Sequence, residues 1–289
     1  MNKRTISIFQ LILTGFLWSI AGVFIKMIDM HPVALASARS LIGALVILSF
    51  LKFKPKFSFS KAQIFGSISF VGTVTFFVLA NKMTTSANAV LLQYAAPIYV
   101  TLLCYFILRE KLRWFDFASI IGMIIGMGVF FSDGLTGGSM LGNIFGVLSG
   151  IAFASQAIFM RLQKDGSNIE TILLGCILTF LIGSPFLLSS PPTGSELTPL
   201  LILGVFQFGI PYLLYPIASK NATSLDLVFI PMIEPILNPV WVFLGTGEKP
   251  SIYAYIGGSI IISMVIFKSV FSVKFPLNQE ENNLEKMIV

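Results

Sequence analysis

The chain has 289 residues, of which 55% are hydrophobic and 11% charged, and its formal net charge is +6. Soluble domains carry about 25% charged residues, and disordered segments combine high charge with low hydrophobicity, so the composition excludes both classes. Because a bilayer is spanned by about 20 apolar residues, a chain of this kind is an all-α polytopic membrane protein.

Ten apolar segments follow one another along the chain, separated by short stretches rich in Gly, Pro, Lys or Asp. Each has the length and composition of a transmembrane helix, so we predict ten spans, numbered in chain order. Their ranges are 7–28, 33–52, 62–80, 86–108, 114–132, 141–161, 170–189, 198–219, 223–245 and 251–271. A polar tail follows Pro276.

The basic residues are distributed unevenly between the two sides of these spans. With both termini on one side, fifteen of the 19 Lys and Arg residues fall on that side, three fall on the other side, and Arg39 lies within a span. Cytoplasmic loops of membrane proteins carry the excess of Lys and Arg. We therefore expect a multi-pass protein of the plasma (cytoplasmic) membrane with both termini in the cytoplasm.

The chain contains an internal repeat. At a shift of 138 residues, eight positions of the first half coincide with identical residues of the second: Ala80, Lys82, Thr85, Ser86, Val90, Pro97, Glu110 and Lys111 with Ala218, Lys220, Thr223, Ser224, Val228, Pro235, Glu248 and Lys249. Convergent similarity among apolar helices is the alternative explanation. Since each half has five spans, an odd number, the repeats would be inverted, with the substrate site between them near the bilayer midplane.

Several short runs carry a family resemblance. The run Leu91–Pro97 leads to Leu108–Lys111, its echo Ile233–Pro235 leads to Gly247–Lys249, and Arg39 follows Pro32 by seven residues. In these features the chain resembles the EamA-type transporters of the drug/metabolite transporter superfamily. The resemblance implies ten helices in two inverted repeats, here residues 1–138 and 139–272, followed by a cytoplasmic tail, 273–289. Members move amino acids, vitamins, nucleotide-type molecules or drugs, so it does not identify the solute.

Glu234 is the one acidic residue that this prediction places in the interior of a span. A carboxyl group at that depth either stays protonated or has a cationic or hydrogen-bonding partner. It is a candidate proton-coupling site or acceptor for a substrate amine. The alternative is a structural carboxyl that caps freed backbone groups.

Span 9 contains three prolines spaced four residues apart, Pro231, Pro235 and Pro239, and span 4 contains Pro97. Each lacks an N–H and therefore frees the carbonyl four residues earlier. Because free carbonyls are costly in lipid, these faces should border a hydrated cavity or protein, and we predict helix breaks with a gating function. Kinks needed only for packing are the alternative.

Arg39 lies five residues, about 8 Å, from the outer end of span 2. It could attract a carboxylate or phosphate of the solute, or reach lipid headgroups by snorkelling. Polar residues within other spans complete the predicted substrate-binding site: Trp18, Gln93, Tyr94, Tyr212 and Asn238. Packing is the alternative for the tryptophan and the tyrosines. Gln156, Gln207 and Tyr215 offer further polar groups.

Glu110 and Glu248 lie at the junction of a span and a loop, each followed by a lysine. They are candidate gates, and solvated charges at helix ends are the alternative.

The sequence has no phosphate-binding loop and no HExxH motif, and it contains one histidine and two cysteines. We therefore predict no catalysis, no metal, no cofactor and no nucleic-acid partner. Two GxxxG motifs allow close helix packing either within one chain or between two chains, so the oligomeric state can be a monomer or a homodimer.

These observations predict a secondary-active transporter that moves a small organic metabolite, such as an amino acid or a drug-like solute, by alternating access. The expected partners are the solute, the lipid bilayer and a coupling proton. Export is the direction that the family resemblance favours. The alternative is a non-transporting membrane scaffold or small-molecule sensor, which would be expected to carry a large partner-binding loop or tail.

Overall fold

The computed structural model describes residues 3–107, 113–130, 132, 139–163, 167–222, 227, 230–246 and 251–274. All regular secondary structure within these ranges is helical. The α-helices are α1 Lys3–Trp18, α2 Ala21–Met27, α3 Pro32–Phe50, α4 Lys61–Met83, α5 Ser86–Gln93, α6 Ala96–Ile107, α7 Trp114–Phe130, α8 Met140–Leu162, α9 Asn168–Ser189, α10 Gly194–Ile202, α11 Pro211–Ala218, α12 Ile233–Thr246 and α13 Ile252–Lys274. A π-helical segment, Leu203–Gly209, joins α10 to α11, and a 3₁₀ turn, Ile230–Met232, precedes α12.

Six helical segments are long and apolar enough to cross a membrane, which makes this a multi-pass membrane protein. They are Thr5–Met27, Pro32–Phe50, Lys61–Met83, Met140–Leu162, Asn168–Ser189 and Gly194–Ala218. These segments correspond to predicted spans 1, 2, 3, 6, 7 and 8. Among the described residues, six of the ten predicted spans thus have full membrane-spanning length, and spans 4, 5, 9 and 10 remain predictions.

Predicted spans 1, 4 and 8 are interrupted within the described residues, and a break in span 4 was expected from Pro97. Span 1 turns at Ser19 and Ile20, and span 4 turns at Tyr94 and Ala95. The second turn comes directly before α6, where Pro97 supplies no N–H to the carbonyl of Gln93. The turn at Ser19 and Ile20 contains no proline, so the proline pattern that predicted the helix breaks did not indicate it.

The third interruption is the π-helical segment within predicted span 8. It ends at Gly209, two residues before Pro211, and the amide of Ile210 donates to the carbonyl of Val205 at 2.9 Å, a five-residue step. Since Pro211 has no N–H, the carbonyl of Gln207 loses its usual helical partner. Single π turns of this kind occur frequently at functional sites.

Hydrogen bonds between loops and helix ends bring one set of helix termini together. The Lys82 ammonium donates to the carbonyl of Ile28. The amide of Ser139 donates to the carbonyl of Met83 at 3.0 Å. The end of α2, the end of α4 and the start of α8 therefore lie at the same end of the bundle.

A second set of contacts lies at the other end of α4. The Ser60 hydroxyl donates to Gln163 Oε1 at 3.1 Å, which joins the start of α4 to the end of α8. Asn168 Nδ2 donates to the Ser219 hydroxyl at 2.8 Å, which joins the start of α9 to the region following α11. Helices α4 and α8 thus run in opposite directions.

Glycines allow the closest helix contacts. A Cβ on Gly150 of α8 would lie 2.9 Å from the carbonyl oxygen of Gln93, and one on Gly126 of α7 would lie 3.1 Å from the carbonyl oxygen of Gly257. Both glycines belong to the GxxxG motifs of the sequence, and here they pack helices within one chain. The contact at Gly150 holds α8 against the end of α5, next to Tyr94.

Candidate functional site

A small cavity lies among the helices, with a volume of about 20 Å³, which is room for about one water molecule. It is lined by Trp18, Arg39, Thr73, Val74, Phe77, Gln93, Tyr94, Phe153, Gln207, Phe208, Tyr212 and Glu234. These residues come from both halves of the sequence: α1, α3, α4 and α5 from the first, and α8, the π-helical segment, α11 and α12 from the second. The cavity therefore lies where the two halves meet, around a polar centre.

Six of the seven residues predicted to bind substrate line this one cavity: Trp18, Arg39, Gln93, Tyr94, Tyr212 and Glu234. The seventh, Asn238, lies in α12, and its side chain is outside the described residues. The structure thus brings together polar residues that lie up to 216 positions apart in sequence, from Trp18 to Glu234. Their roles in substrate binding remain a prediction.

Glu234 has a hydrogen-bonding partner in the other half of the chain. The Tyr94 hydroxyl donates to Glu234 Oε2, and both side chains are buried. The same hydroxyl lies 3.3 Å from the carbonyl oxygen of Pro231. That carbonyl lacks the usual α-helical donor four residues later, because Pro235 has no N–H. Tyr94 therefore lies within reach of two acceptors on the segment that leads into α12.

Arg39 is almost completely buried, with 2% of its surface exposed. Its Nη2 donates to the carbonyl of Val74 at 3.1 Å, and its guanidinium carbon lies 4.9 Å from the centroid of the Phe208 ring. Nε and Nη1 have no hydrogen-bond partner among the described residues. Snorkelling to lipid headgroups, one of the two sequence-based alternatives for Arg39, is therefore wrong.

The two charged groups of the cavity are not paired with each other. No nitrogen of Arg39 lies within 4 Å of a Glu234 carboxylate oxygen, and the ion pair found in the described part of the chain joins Arg113 to Asp116. Glu234 is bonded to Tyr94 instead. Each charged group is thus left with capacity for another partner.

Aromatic rings form one wall of the cavity. The Trp18 ring lies 5.9 Å from that of Phe153 and 5.2 Å from that of Tyr212, and the Tyr212 ring lies 4.8 Å from that of Phe208. Trp18 Nε1 and Gln207 Oε1 are buried without a hydrogen-bond partner in the described ranges. The wall therefore combines apolar surface with polar atoms that are free to bond.

Five of the lining residues were not singled out by the sequence analysis: Thr73, Val74, Phe77, Phe153 and Phe208. The three phenylalanines are among 28 in the chain, so nothing in their sequence context distinguishes them. Thr73 is a polar residue within a span, and that signal alone could have identified it.

Helix α12 also contacts the other interruption of the first half. Trp241 Nε1 donates to the hydroxyl of Ser19 at 2.8 Å, at the turn between α1 and α2. Glu234 and Trp241 are seven residues apart and therefore lie on one face of α12. That face thus bonds to both helix interruptions, at Ser19 and at Tyr94.

The predicted helix breaks and gates have different outcomes. Pro231 is buried in the 3₁₀ turn that precedes Glu234, whereas Pro235 and Pro239 fall within α12 and do not interrupt it. The side chains of Pro97, Pro235 and Pro239 lie outside the described residues, as do Glu110 and Glu248. Their gating roles remain predictions. The described ranges contain no cluster of three His, Cys, Asp or Glu side chains that could hold a metal ion.

Comparison with known proteins identifies relatives over most of the chain. The sequence model of the EamA-like transporter family matches residues 5–132 and again residues 140–270. An uncharacterized transporter of Archaeoglobus fulgidus is 23% identical over 264 residues, which cover 89% of this chain and 93% of that protein. An uncharacterized transporter of Clostridium kluyveri is 24% identical over 219 residues, 71% of this chain and 68% of that protein.

A mouse protein named solute carrier family 35 member G1 is also similar, with 25% identity over 237 residues, 71% of this chain and 62% of that protein. A solved crystal structure superposes with a TM-score of 0.69 and 18% sequence identity, covering 94% of this chain and 99% of that one. At this identity the superposition supports the fold alone. The family resemblance seen in the sequence is confirmed by the two family matches.

Proposed function

The chain belongs to the EamA-like transporter family, and from that premise we propose that it is a secondary-active transporter that moves a small organic solute by alternating access. The solute class that we propose is metabolites such as amino acids or drug-like compounds, and export is the proposed direction. The cavity is the proposed binding site. Membership of this family makes the protein a multi-pass membrane transporter with a small-molecule solute.

One observation carries the proposal. The cavity is lined by residues from both segments that match the family, and the hydrogen bond from Tyr94 to Glu234 joins those segments. In alternating access, contacts between two halves form and break around a fixed site. A polar contact between the halves at the site itself supports that mechanism.

The proposed architecture is ten spans in two inverted halves, residues 1–138 and 139–272, followed by a cytoplasmic tail, 273–289. It is supported by the end-to-end contacts of the helices. The first span ends near Ile28, which is bonded to Lys82, and α8 begins after Ser139, which is bonded to Met83. Lys82 and Met83 are adjacent, so the first span of one half ends where the first span of the other begins. We propose both termini to be cytoplasmic and the membrane to be the plasma membrane.

Glu234 is the proposed acceptor of a coupling proton or of a substrate amine. When Glu234 is ionised, the Tyr94 hydroxyl donates to it. When Glu234 is protonated, its own O–H donates to the Tyr94 oxygen, and the Tyr94 hydroxyl is then free to donate to the Pro231 carbonyl, 3.3 Å away. Protonation would thus redirect one hydrogen bond between the halves without leaving a buried donor unpaired.

The experiment is transport by the purified protein in liposomes, measured with a panel of metabolites and drug-like solutes under imposed pH gradients. We expect Glu234→Gln to lose the part of transport that the gradient drives. Glu170→Gln is the matched control, because Glu170 is also buried but does not line the cavity. Transport by Glu234→Gln at the wild-type rate under every gradient would remove the coupling role. Failure of the wild-type protein to transport any solute would contradict the proposed function.

A further inference from the structure

Arg39 is a buried cation whose hydrogen-bonding capacity is mostly unused by the protein. A guanidinium group has five N–H donors. One of them, on Nη2, binds the carbonyl of Val74, while Nε and Nη1 have no partner among the described residues. With 2% of its surface exposed, Arg39 cannot satisfy these donors in bulk solvent. A buried donor that carries charge strongly favours a charged acceptor.

The free donors have the geometry that a carboxylate requires. Guanidinium nitrogens form planar forks, in which Nη2 shares one fork with Nε and the other with Nη1. Nη2 carries two hydrogens, one in each fork, and Val74 takes one of them. Whichever hydrogen binds Val74, the other fork remains complete for a bidentate partner.

The protein does not fill this fork with its own carboxylate. Glu234 lines the same cavity, but it is bonded to Tyr94 and is not within 4 Å of an Arg39 nitrogen. The titratable groups that interact with Glu234 are Tyr94 in the turn after α5, Tyr212 on α11 and Arg39 on α3. None of them supplies a second carboxylate to Arg39.

We propose that Arg39 binds the carboxylate of the transported solute, so that the substrate class of this transporter is small organic monocarboxylates. This inference rests on the proposed function. It adds the chemical group that the site recognises and the residue that recognises it.

The charge balance of the cavity favours a single carboxylate. Arg39 and Glu234 are the only charged side chains among its twelve lining residues. When Glu234 is protonated, Arg39 supplies the one charge of the site, so a dianion such as a dicarboxylate would leave negative charge unbalanced in a site of low dielectric constant. A solute with one carboxylate matches the one guanidinium.

The rest of the solute would contact the aromatic wall. The rings of Trp18, Phe153, Phe208 and Tyr212 supply apolar surface in the same cavity as Arg39, and the guanidinium carbon lies over the Phe208 ring. An apolar or aromatic body is therefore favoured next to the carboxylate. Because the cavity as it stands has a volume of about 20 Å³, room for about one water molecule, the solute must enter when the halves separate.

The test compares acids with their amides, which have the same size and shape but lack the negative charge of the carboxylate. Three pairs serve as probes: propionate and propionamide, 3-phenylpropionate and its amide, and phenylalanine and phenylalaninamide. Binding to the purified full-length protein is measured by thermal shift, and uptake is measured in liposomes. We expect at least one acid to bind and to be transported at least tenfold better than its amide, since a bidentate charged pair is stronger than a neutral one by roughly that factor or more.

Substitutions of Arg39 test whether this residue causes the preference for an acid over its amide. We expect Arg39→Gln to abolish the discrimination between acid and amide, and Arg39→Lys, which keeps the charge without the fork, to reduce it. If a variant does not fold, the wild-type comparison of acid with amide still decides. Transport of amides or amines in preference to acids would overturn this inference but leave the proposed function standing. Failure of the wild-type protein to transport any compound, in these pairs or in the wider panel, would contradict both.

Discussion

The hydrogen bond between Tyr94 and Glu234 provides a test of the contact between the two halves. Tyr94→Phe removes one oxygen atom and keeps the ring, so the packing of α5 against α12 is preserved. What is lost is the donor to Glu234 Oε2 and to the nearby Pro231 carbonyl. The substitution therefore isolates the polar contact from the apolar one.

The expected cost follows from burial. Tyr94 is 2% exposed and Glu234 is 4% exposed, so water does not readily replace the lost donor. A hydrogen bond to a charged group contributes about 1.5–3 kcal/mol, and an unsatisfied buried acceptor costs a similar amount. With about 2–4 °C in melting temperature per kcal/mol for a chain of this size, we expect a decrease of several degrees.

Tyr215→Phe is the matched control. Tyr215 is fully buried, but its hydroxyl has no hydrogen-bond partner in the described part of the chain. Removing that hydroxyl should leave the melting temperature unchanged or raise it slightly. Both variants are purified in the same detergent and unfolded thermally beside the wild-type protein. Equal melting temperatures for the two variants would refute the reasoning.

Two further stability predictions concern the same region, each measured by thermal unfolding of the purified protein. Gly15→Ala should destabilise the folded protein by about 1–3 kcal/mol, because the new Cβ would lie 2.8 Å from the carbonyl oxygen of Pro231. Gly128→Ala is the control and should be neutral or stabilising, because no atom lies within 4 Å of its Cβ. A larger loss of stability in Gly128→Ala than in Gly15→Ala would contradict the packing described. Trp241→Phe should lower stability by about 1 kcal/mol, because it removes the hydrogen bond to the Ser19 hydroxyl, and an unchanged melting temperature would argue against that bond.

The polar residues of the cavity could be predicted from sequence because the membrane leaves them few alternatives. An arginine, a glutamate or a glutamine inside a span must turn toward protein or water, so residues such as Arg39, Gln93 and Glu234 converge on one interior site. The depth of each of these residues in the membrane and the helix face on which it lies follow from the sequence pattern. Their hydrogen-bonding partners do not follow from it, and the bond from Tyr94 to Glu234 appears only when the end of α5 packs against α12.

The apolar part of the site could not be predicted. Phe208 lies beneath the guanidinium carbon of Arg39, but its sequence context is that of any other phenylalanine in a span. Its position depends on the π-helical segment, whose extra residue per turn rotates the side chains that follow. The cause of that segment, the missing N–H of Pro211, is visible in the sequence, but a proline is equally compatible with a simple kink.

Alternating access requires that one cavity between the two halves is reached from both sides of the membrane in turn. Gln93→Cys, in a chain whose Cys104 and Cys176 are replaced by alanine, places a single thiol in that cavity. Ser58→Cys and Ser195→Cys are controls at exposed positions near opposite ends of the bundle, and each should react from one face only. We predict that a membrane-impermeant thiol reagent modifies the cysteine at position 93 from either face, and that a transported monocarboxylate protects it from both. Modification from a single face, or from neither, would contradict the account.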